Sequence, residues 1–279
     1  MTTIADALRE ARARFTASES AGLDAHVLLA AVLGVDRTHL LGHPEQVLSA
    51  EQAAQFGAWV ERHAAGEPVA YILGRRGFYD LDLLVTSDVL IPRPETELLL
   101  EQALAFAQQH PGLTAVDIGT GSGALAVTFA KHAPGATVYA VDISPQALAV
   151  AQRNAQAQDV AVTFLEGDLL GPLIERGVKV DLVMANLPYI ATDEVPRLDV
   201  SRYEPVLALD GGPDGLDLVR RLLAQLPQVA RPGALVLLEI GADQGAATLA
   251  LAGATGRLFQ DYAGLDRIVS LIWTGTPDA

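Results

Sequence analysis

The sequence predicts an α/β fold: a mostly parallel sheet covered by helices, with an antiparallel hairpin at one edge, preceded by a small all-α domain and a β-hairpin linker. Three observations carry this. From Leu113 onward, short apolar runs alternate with helical patterns, as a parallel sheet with crossover helices requires. Before about residue 66 the chain is rich in Ala and Leu at helical spacing. Near the other end, Arg257-Leu-Phe-Gln-Asp and Arg267-Ile-Val-Ser-Leu-Ile-Trp follow each other across a short Gly-containing turn, which favours an antiparallel pair. The expected boundaries are 1–66 for a helical N-terminal domain, 67–92 for the linker and 93–279 for the α/β domain.

In chain order, Ile4, Leu8 and Ala11, then Val27, Leu28, Ala31 and Val32, fall on helical faces. Ser49 and Gln52 fit a capping box, in which each side chain satisfies a free amide at a helix start. Phe56, Trp59, Val60 and His63 follow one face of that helix. His26, His39, His43 and His63 lack paired metal-ligand spacing, so no metal is expected. A helical bundle without catalytic motifs is suited to recognising a partner. Residues 67–92, with aromatic and branched residues between Gly74, Gly77 and Asp-rich turns, read as a hairpin carrying Arg75 and Arg76.

Ile91-Pro92-Arg93-Pro94-Glu95-Thr96-Glu97 predicts a helix start, with Pro94 in the first turn and acids at the positive end of the helix dipole. The two prolines also hold Arg93 in a defined place. Strands are expected at 113–118, 137–142, 161–166, 180–186 and 234–240, and helices near 122–132, 145–158, 214–229 and 243–252.

Composition narrows the function. Half of the 279 residues are hydrophobic, enough for a sizeable core, and the formal charge is −15 with only two lysines, Lys131 and Lys179. Such a surface opposes broad binding to phosphate backbones, which clustered Lys and Arg carry. The lack of cysteine excludes disulfides and thiolate metal sites. The opening Met-Thr-Thr-Ile-Ala-Asp lacks the basic and apolar regions of a secretion signal, so none is expected, and no apolar run approaches the roughly 20 residues that span a bilayer. A cytoplasmic protein that does not contact membranes is expected.

Val180-Asp-Leu-Val-Met-Ala-Asn186-Leu187-Pro188-Tyr189 reads as a buried strand running into a stiff polar and aromatic tip. In an open parallel sheet, ligands sit beyond the carboxyl ends of the strands. Asn186 Oδ1 and a neighbouring main-chain carbonyl can each accept a hydrogen bond while Tyr189 covers a face, which suits a small planar group bearing N–H donors. Asp117-Ile-Gly119-Thr120-Gly121-Ser122-Gly123 lies at a strand-to-helix turn where glycines admit a ligand to the backbone. Asp142 ends the next strand, where a carboxylate can accept both hydroxyls of a ribose. Gly119, Gly121 and Ala124 also satisfy the loose dinucleotide pattern, so the loop indicates a nucleoside ligand without deciding which one. Asp117, just before the glycines, is unwelcome to a pyrophosphate and welcome to an amine or cation. Asp168 and Leu169, ending the third strand, could meet an adenine amino group and ring.

In this order, Asp117-x-Gly-x-Gly-x-Gly, Asp142, Gly167-Asp168 and Asn186-x-Pro-Tyr resemble a class I S-adenosylmethionine-dependent methyltransferase with its Rossmann-like sheet. More narrowly, the chain resembles the peptide chain release factor glutamine N5-methyltransferases, the HemK/PrmC family. The Gly-Arg-Arg-x-Phe linker, Leu-Ile-Pro-Arg-Pro-Glu-Thr-Glu, Glu204-Pro205, Asp214-Gly215-Leu216 and Leu238-Glu239-Ile240-Gly241 extend that likeness over essentially 1–275. One departure stands out: the family has Asn-Pro-Pro-Tyr, and Leu187 occupies the first proline place, which keeps the carbonyl but loosens the turn.

The resemblance implies methyl transfer from S-adenosyl-L-methionine, leaving S-adenosyl-L-homocysteine, to the glutamine amide of the Gly-Gly-Gln motif in class I peptide chain release factors. Asn186 and the Leu187 carbonyl would hold the amide hydrogens, Pro188 would stiffen the turn and Tyr189 would exclude water. Asp117, Gly119, Thr120, Gly121, Ser122 and Gly123 would hold the methionine end, Asp142 the ribose, and Asp168 with Leu169 the adenine, with Asn186 bordering the cofactor too. Arg93 is a candidate substrate contact. A monomer without direct nucleic-acid contact is expected.

Overall fold

A computed structural model describes residues 2–275; Met1 and residues 276–279, the outer ends of the expected first and last domains, lie outside the described residues. The chain divides into two compact units, Met1–Arg75 and Arg76–Ala279.

The first unit consists of α1 (Ile4–Arg14), α2 (Ala21–Leu33), α3 (Arg37–Gly42), α4 (Ala50–Ala64) and α5 (Val69–Leu73). Its core is aliphatic and aromatic, with Ile4, Leu28, Leu29, Leu40, Phe56, Val60 and Ile72 all buried. The capping box expected at Ser49 and Gln52 is present in both directions, at 2.9 and 3.1 Å. His63, on the expected inner face of α4, is half-buried and contacts Asp24 at 3.3 Å and the Glu67 carbonyl at 2.8 Å. No cluster of potential metal ligands occurs among the described residues.

The segment from residue 67, expected as hairpin, opens instead with α5. The branched and aromatic run Val-Ala-Tyr-Ile-Leu reads as strand by composition. However, Pro68 at its N-cap suits a helix start and Ala70 and Ile72 are buried, so packing overrides propensity. The hairpin proper is shorter, β1 (Arg75–Phe78) with β2 (Leu81–Leu84).

The second unit continues with α6 (Thr96–Gln109), β3 (Thr114–Ile118), α7 (Ala124–His132), β4 (Thr137–Asp142), α8 (Pro145–Ala157), β5 (Thr163–Glu166), α9 (Gly171–Glu175), β6 (Val180–Ala185), α10 (Asp217–Gln225), β7 (Ala230–Glu239), α11 (Gly245–Ala252), β8 (Arg257–Gln260) and β9 (Asp266–Trp273). The seven strands lie in the order β5-β4-β3-β6-β7-β9-β8. All pairings through β7 are parallel, and β9 runs antiparallel to both β7 and β8, giving the expected edge. Alternate side chains of one strand enter opposite layers. Leu182 and Met184 join the core beneath α6 and α7, whereas Val183 and Ala185 join the core with Leu222 of α10.

Three boundaries move for local reasons. Pro94 and Glu95 form a turn before α6, whose first residue is Thr96, and Glu97 accepts the Tyr79 N–H at 2.8 Å. Pro227 cannot continue a helix, so α10 stops at Gln225 and a 3₁₀ turn follows over Leu226–Gln228. β7 begins at Ala230, earlier than Pro232 and Gly233 suggest, because a register shift opposite Val180 and Leu182 accommodates them.

Candidate active site

Strand order reverses beside β3. The chain steps outward through β4 and β5, then returns to the other side of β3 as β6. Register sets Ile118 opposite both Val141 and Ala185. The 119–123 loop, Asp142 and Asn186 therefore emerge side by side at the carboxyl end of the sheet, where ligands bind in folds of this kind. A cavity of about 300 Å³ opens there.

The loop folds back on β4, as the Gly119 and Thr120 amides both donate to the Val141 carbonyl. Gly119 and Gly121 take left-handed φ values of 70° and 54°. A Cβ on Gly119 would stand 3.2 Å from Leu187 Cδ2, whereas one on Gly121 would meet nothing closer than the Gly119 carbonyl at 4.0 Å. The backbone at Gly121 is thus open to the cavity it lines.

Asp117 is buried on the α7 side of β3. Its Oδ2 accepts the Thr120 hydroxyl at 2.6 Å and the Ala126 N–H at 3.2 Å. Burial pushes its pKa up to about 7, and the nearby Asp142 charge adds to the rise. Asp142 accepts the Gly121 N–H at 2.8 Å through Oδ2 and the Ser144 N–H at 2.9 Å through Oδ1; burial raises its pKa as well. Each carboxylate oxygen has a second lone pair, so these contacts orient Asp142 without exhausting it. Asn154 of α8, buried, ties the loop down by donating to the Ser122 and Leu84 carbonyls at 2.8 and 2.9 Å.

At the tip of β6, Asn186 Nδ2 donates to Thr96 Oγ1 at 3.0 Å. Leu187 is buried with its side chain over Gly119, and its side chain belongs to the core. Tyr189 is half-buried; its carbonyl accepts from Gln244 Nε2 at 2.8 Å, and burial lifts its hydroxyl to a pKa of about 12.

Of the residues singled out from sequence, Arg93, Asp117, Gly119, Thr120, Gly121, Ser122, Asp142, Asp168, Leu169, Asn186 and Pro188 line the cavity; Gly123, Leu187 and Tyr189 do not. Gly123 sits behind the loop, where a Cβ would be 3.0 Å from that of Ala151. Asp168, expected to face an adenine, forms an ion pair with Arg221 of α10, both about half exposed. Arg93 donates to the buried Glu204 at 2.6 Å. Burial raises the pKa of Glu204, and Arg93 opposes that rise.

Sequence reasoning missed Arg221, Asn154 and Thr96 as parts of the site. Asn154 and Arg221 lie on regular helical faces and carry no local signal. Thr96 stands inside the Pro-Arg-Pro-Glu-Thr-Glu run, and Glu239 ends an apolar strand just as Asp142 does.

Residues 6–74 match the family described as the PrmC N-terminal domain, and residues 115–211 match a methyltransferase domain family. The release factor glutamine methyltransferase of Moorella thermoacetica is 46% identical over 275 residues, covering 95% of this chain and 96% of that protein. Its Bacillus subtilis namesake is 39% identical over 280 residues, covering 96% and 97%. Among solved structures, a methyltransferase from Pyrococcus furiosus superposes with a TM-score of 0.52 at 18% identity, over 78% of this chain and 98% of that one. That likeness bears on the fold alone.

Proposed function

The chain belongs to the release factor glutamine methyltransferase family, and from that premise we propose that it methylates the side-chain amide nitrogen, N5, of the glutamine in the Gly-Gly-Gln motif of class I release factors, modulating translation termination. It is an S-adenosylmethionine-dependent enzyme of the α/β class. When bound, that cofactor supplies a methyl group made electrophilic by the sulfonium. The observation that carries the finer reading is the shared opening of the 119–123 loop, Asp142 and Asn186 into one cavity.

The residues present fit this ligand. Asp117, a buried carboxylate held near neutrality, gains a counter-charge from an ammonium, which favours its ionised form. The open backbone at Gly121 admits the methionine end, and Asp142, already oriented by two amides, has lone pairs left for ribose hydroxyls. Leu169 offers an apolar surface to the adenine. Asp168 retains one carboxylate oxygen for its amino group beside the Arg221 pair.

An amide nitrogen is a poor nucleophile because its lone pair is delocalised. Asn186 Oδ1, at the cavity wall, and the Leu187 carbonyl, between the lining residues Asn186 and Pro188, would accept its two hydrogens and turn the lone pair toward the methyl group. Orientation of this kind contributes several kcal/mol, on the order of 7 in favourable cases. Pro188 keeps the turn extended and Tyr189, behind the tip, closes it from water. No base is required on the tip if the proton leaves after the methyl group has arrived. Arg93 holds Glu204 and leaves a third of its side chain at the cavity to meet the release factor. In this reading the helical first unit recognises the same partner, and the enzyme works as a cytoplasmic monomer without direct nucleic-acid contact. No helix among the described residues is long and apolar enough to cross a membrane.

The test is transfer of label from tritiated S-adenosylmethionine to a purified class I release factor and to its Gly-Gly-Gln Gln→Ala variant. Label in the native factor alone is expected; equal label in both would overturn the assignment of the acceptor.

A further inference from the structure

Asn186 works as an acceptor only if its oxygen, and not its nitrogen, faces the cavity. The two ends of a carboxamide have nearly the same shape, so sterics do not choose between them. Something must read the difference chemically. Register supplies a candidate: Ala185 pairs with Leu238, so Glu239, ending β7, lies beside Asn186 at the tip of β6. Thr96, first residue of α6, stands between them. It accepts from Asn186 Nδ2 at 3.0 Å, which leaves its own hydrogen for the neighbouring Glu239 carboxylate, whose ionised form it favours. Both Thr96 and Glu239 are almost completely buried, at 4% and 3% exposure.

We propose that Thr96 and Glu239 are positioning residues that set the polarity of the Asn186 amide; this rests on the reading of Asn186 as the acceptor for the substrate amide. A threonine hydroxyl has one hydrogen. In its ionised form Glu239 can only accept, so that hydrogen then goes to the carboxylate. The Thr96 oxygen is then left to accept, and Asn186 must turn its nitrogen inward. Oδ1 consequently faces the cavity. The reverse arrangement would set the Asn186 N–H donors against the N–H donors of the substrate. Burial raises the Glu239 pKa to about 7 and the Thr96 hydroxyl opposes that rise, as a donor facing the carboxylate form does. Glu239 Oε2 has no hydrogen-bond partner among the described residues, which leaves Thr96 as the polar group between Glu239 and the tip.

The test uses the full chain, tritiated S-adenosylmethionine and a class I release factor, with cofactor affinity measured by equilibrium dialysis. Thr96→Val keeps the shape and removes the hydroxyl. We expect kcat to fall about tenfold or more, with cofactor Kd and release factor KM within about threefold of the wild type. Thr96→Ser, which restores the hydroxyl, should recover kcat to within about threefold. Glu239→Leu frees the Thr96 hydrogen to donate to Asn186 Oδ1 and should lower kcat as Thr96→Val does. Its Tm should stay level or rise, since replacing a buried acid by an apolar group removes a desolvation cost. Glu239→Gln, whose carbonyl can still accept, should lie between.

Thr96→Val turning over within about twofold of the wild type would overturn the proposal. So would Thr96→Ser falling as far as Thr96→Val while both bind cofactor normally, because packing rather than polarity would then be at stake. If Thr96→Val does not fold, Glu239→Leu reads the relay from its other end by the same criteria. Asn186→Ala, run alongside, separates the two readings. Full turnover there removes the acceptor role and this proposal with it, whereas an inactive Asn186→Ala beside a fully active Thr96→Val removes this proposal alone.

Discussion

The helical unit and the α/β unit both bury aliphatic cores, yet they handle polar groups in opposite ways. In the helical unit the ion pairs Arg14–Glu61 and Arg62–Glu67 lie toward the surface, and local caps finish the helices. Among the described residues, buried polar and charged side chains occur in the α/β unit alone: Asp117, Asn154, Glu204 and Glu239 are examples. Three of those are carboxyls raised by burial, and Asp117 and Glu239 stand at about 7. Burying an acid opposes folding unless it is paired. Polar groups concentrated at the carboxyl ends of β3, β4, β6 and β7 therefore mark where stability is set against chemistry. The nearest counterpart in the first unit is the His63–Asp24 pair, whose side chains are 13% and 16% exposed.

Substitutions sharpen this contrast, beginning with the largest effect. Gly121→Val places a branched side chain where the backbone opens to the cavity and forces φ 54° on a β-branched residue. Cofactor affinity is expected to fall about a hundredfold or more by equilibrium dialysis. Asp117→Asn should weaken cofactor binding about tenfold while stabilising the free protein at pH 8.

The sign for Asp117 follows from linkage. A folded pKa of about 7, raised from 3.8, means that the folded state binds the proton more tightly than the unfolded one. The resulting cost is absent below about pH 4, grows as pH rises toward 7, and is constant above. The Tm of Asp117→Asn should thus exceed that of the wild type at pH 8, with the gap closing toward pH 4. A gap independent of pH would show that Asp117 is not the group responsible.

Arg93→Ala leaves Glu204 buried without its cation. Because Arg93 is about one-third exposed, a loss of about 1–3 kcal/mol is expected rather than the full cost of breaking a buried pair. Denaturant unfolding measures it. The smallest effect belongs to the helical unit. The His63 pKa is raised by its hydrogen bond to Asp24, so that contact stabilises fully below the unfolded value of about 6.5 and is lost as pH rises through the folded pKa. His63→Gln should cost less than about 1 kcal/mol at pH 5.5, and less still at pH 9. A larger cost at high pH would contradict the ion-pair account.

Most of the α/β architecture was legible because strands buried on both faces read as continuous apolar runs, and each ends in a distinctive residue: Asp117 before the glycines, Asp142, and Asn186. Local chemistry also announced the Ser49–Gln52 cap. What sequence could not show was pairing across the fold. Arg221 meeting Asp168, Arg93 meeting Glu204 and Thr96 meeting Asn186 join residues far apart in the chain, and no periodicity encodes them. The helix α5 was misread because tertiary burial of Ala70 and Ile72 outweighs the strand propensity of their neighbours.

The central claim is that the tip of β6 orients the acceptor while the glycine loop and its carboxylates hold the cofactor. Single-turnover methyl transfer by Asn186→Ala, at saturating cofactor and release factor, tests it most directly. A rate lowered about a hundredfold or more, with cofactor affinity within about threefold of the wild type, is the predicted result. Turnover close to the wild-type rate would contradict it and move the chemistry away from Asn186.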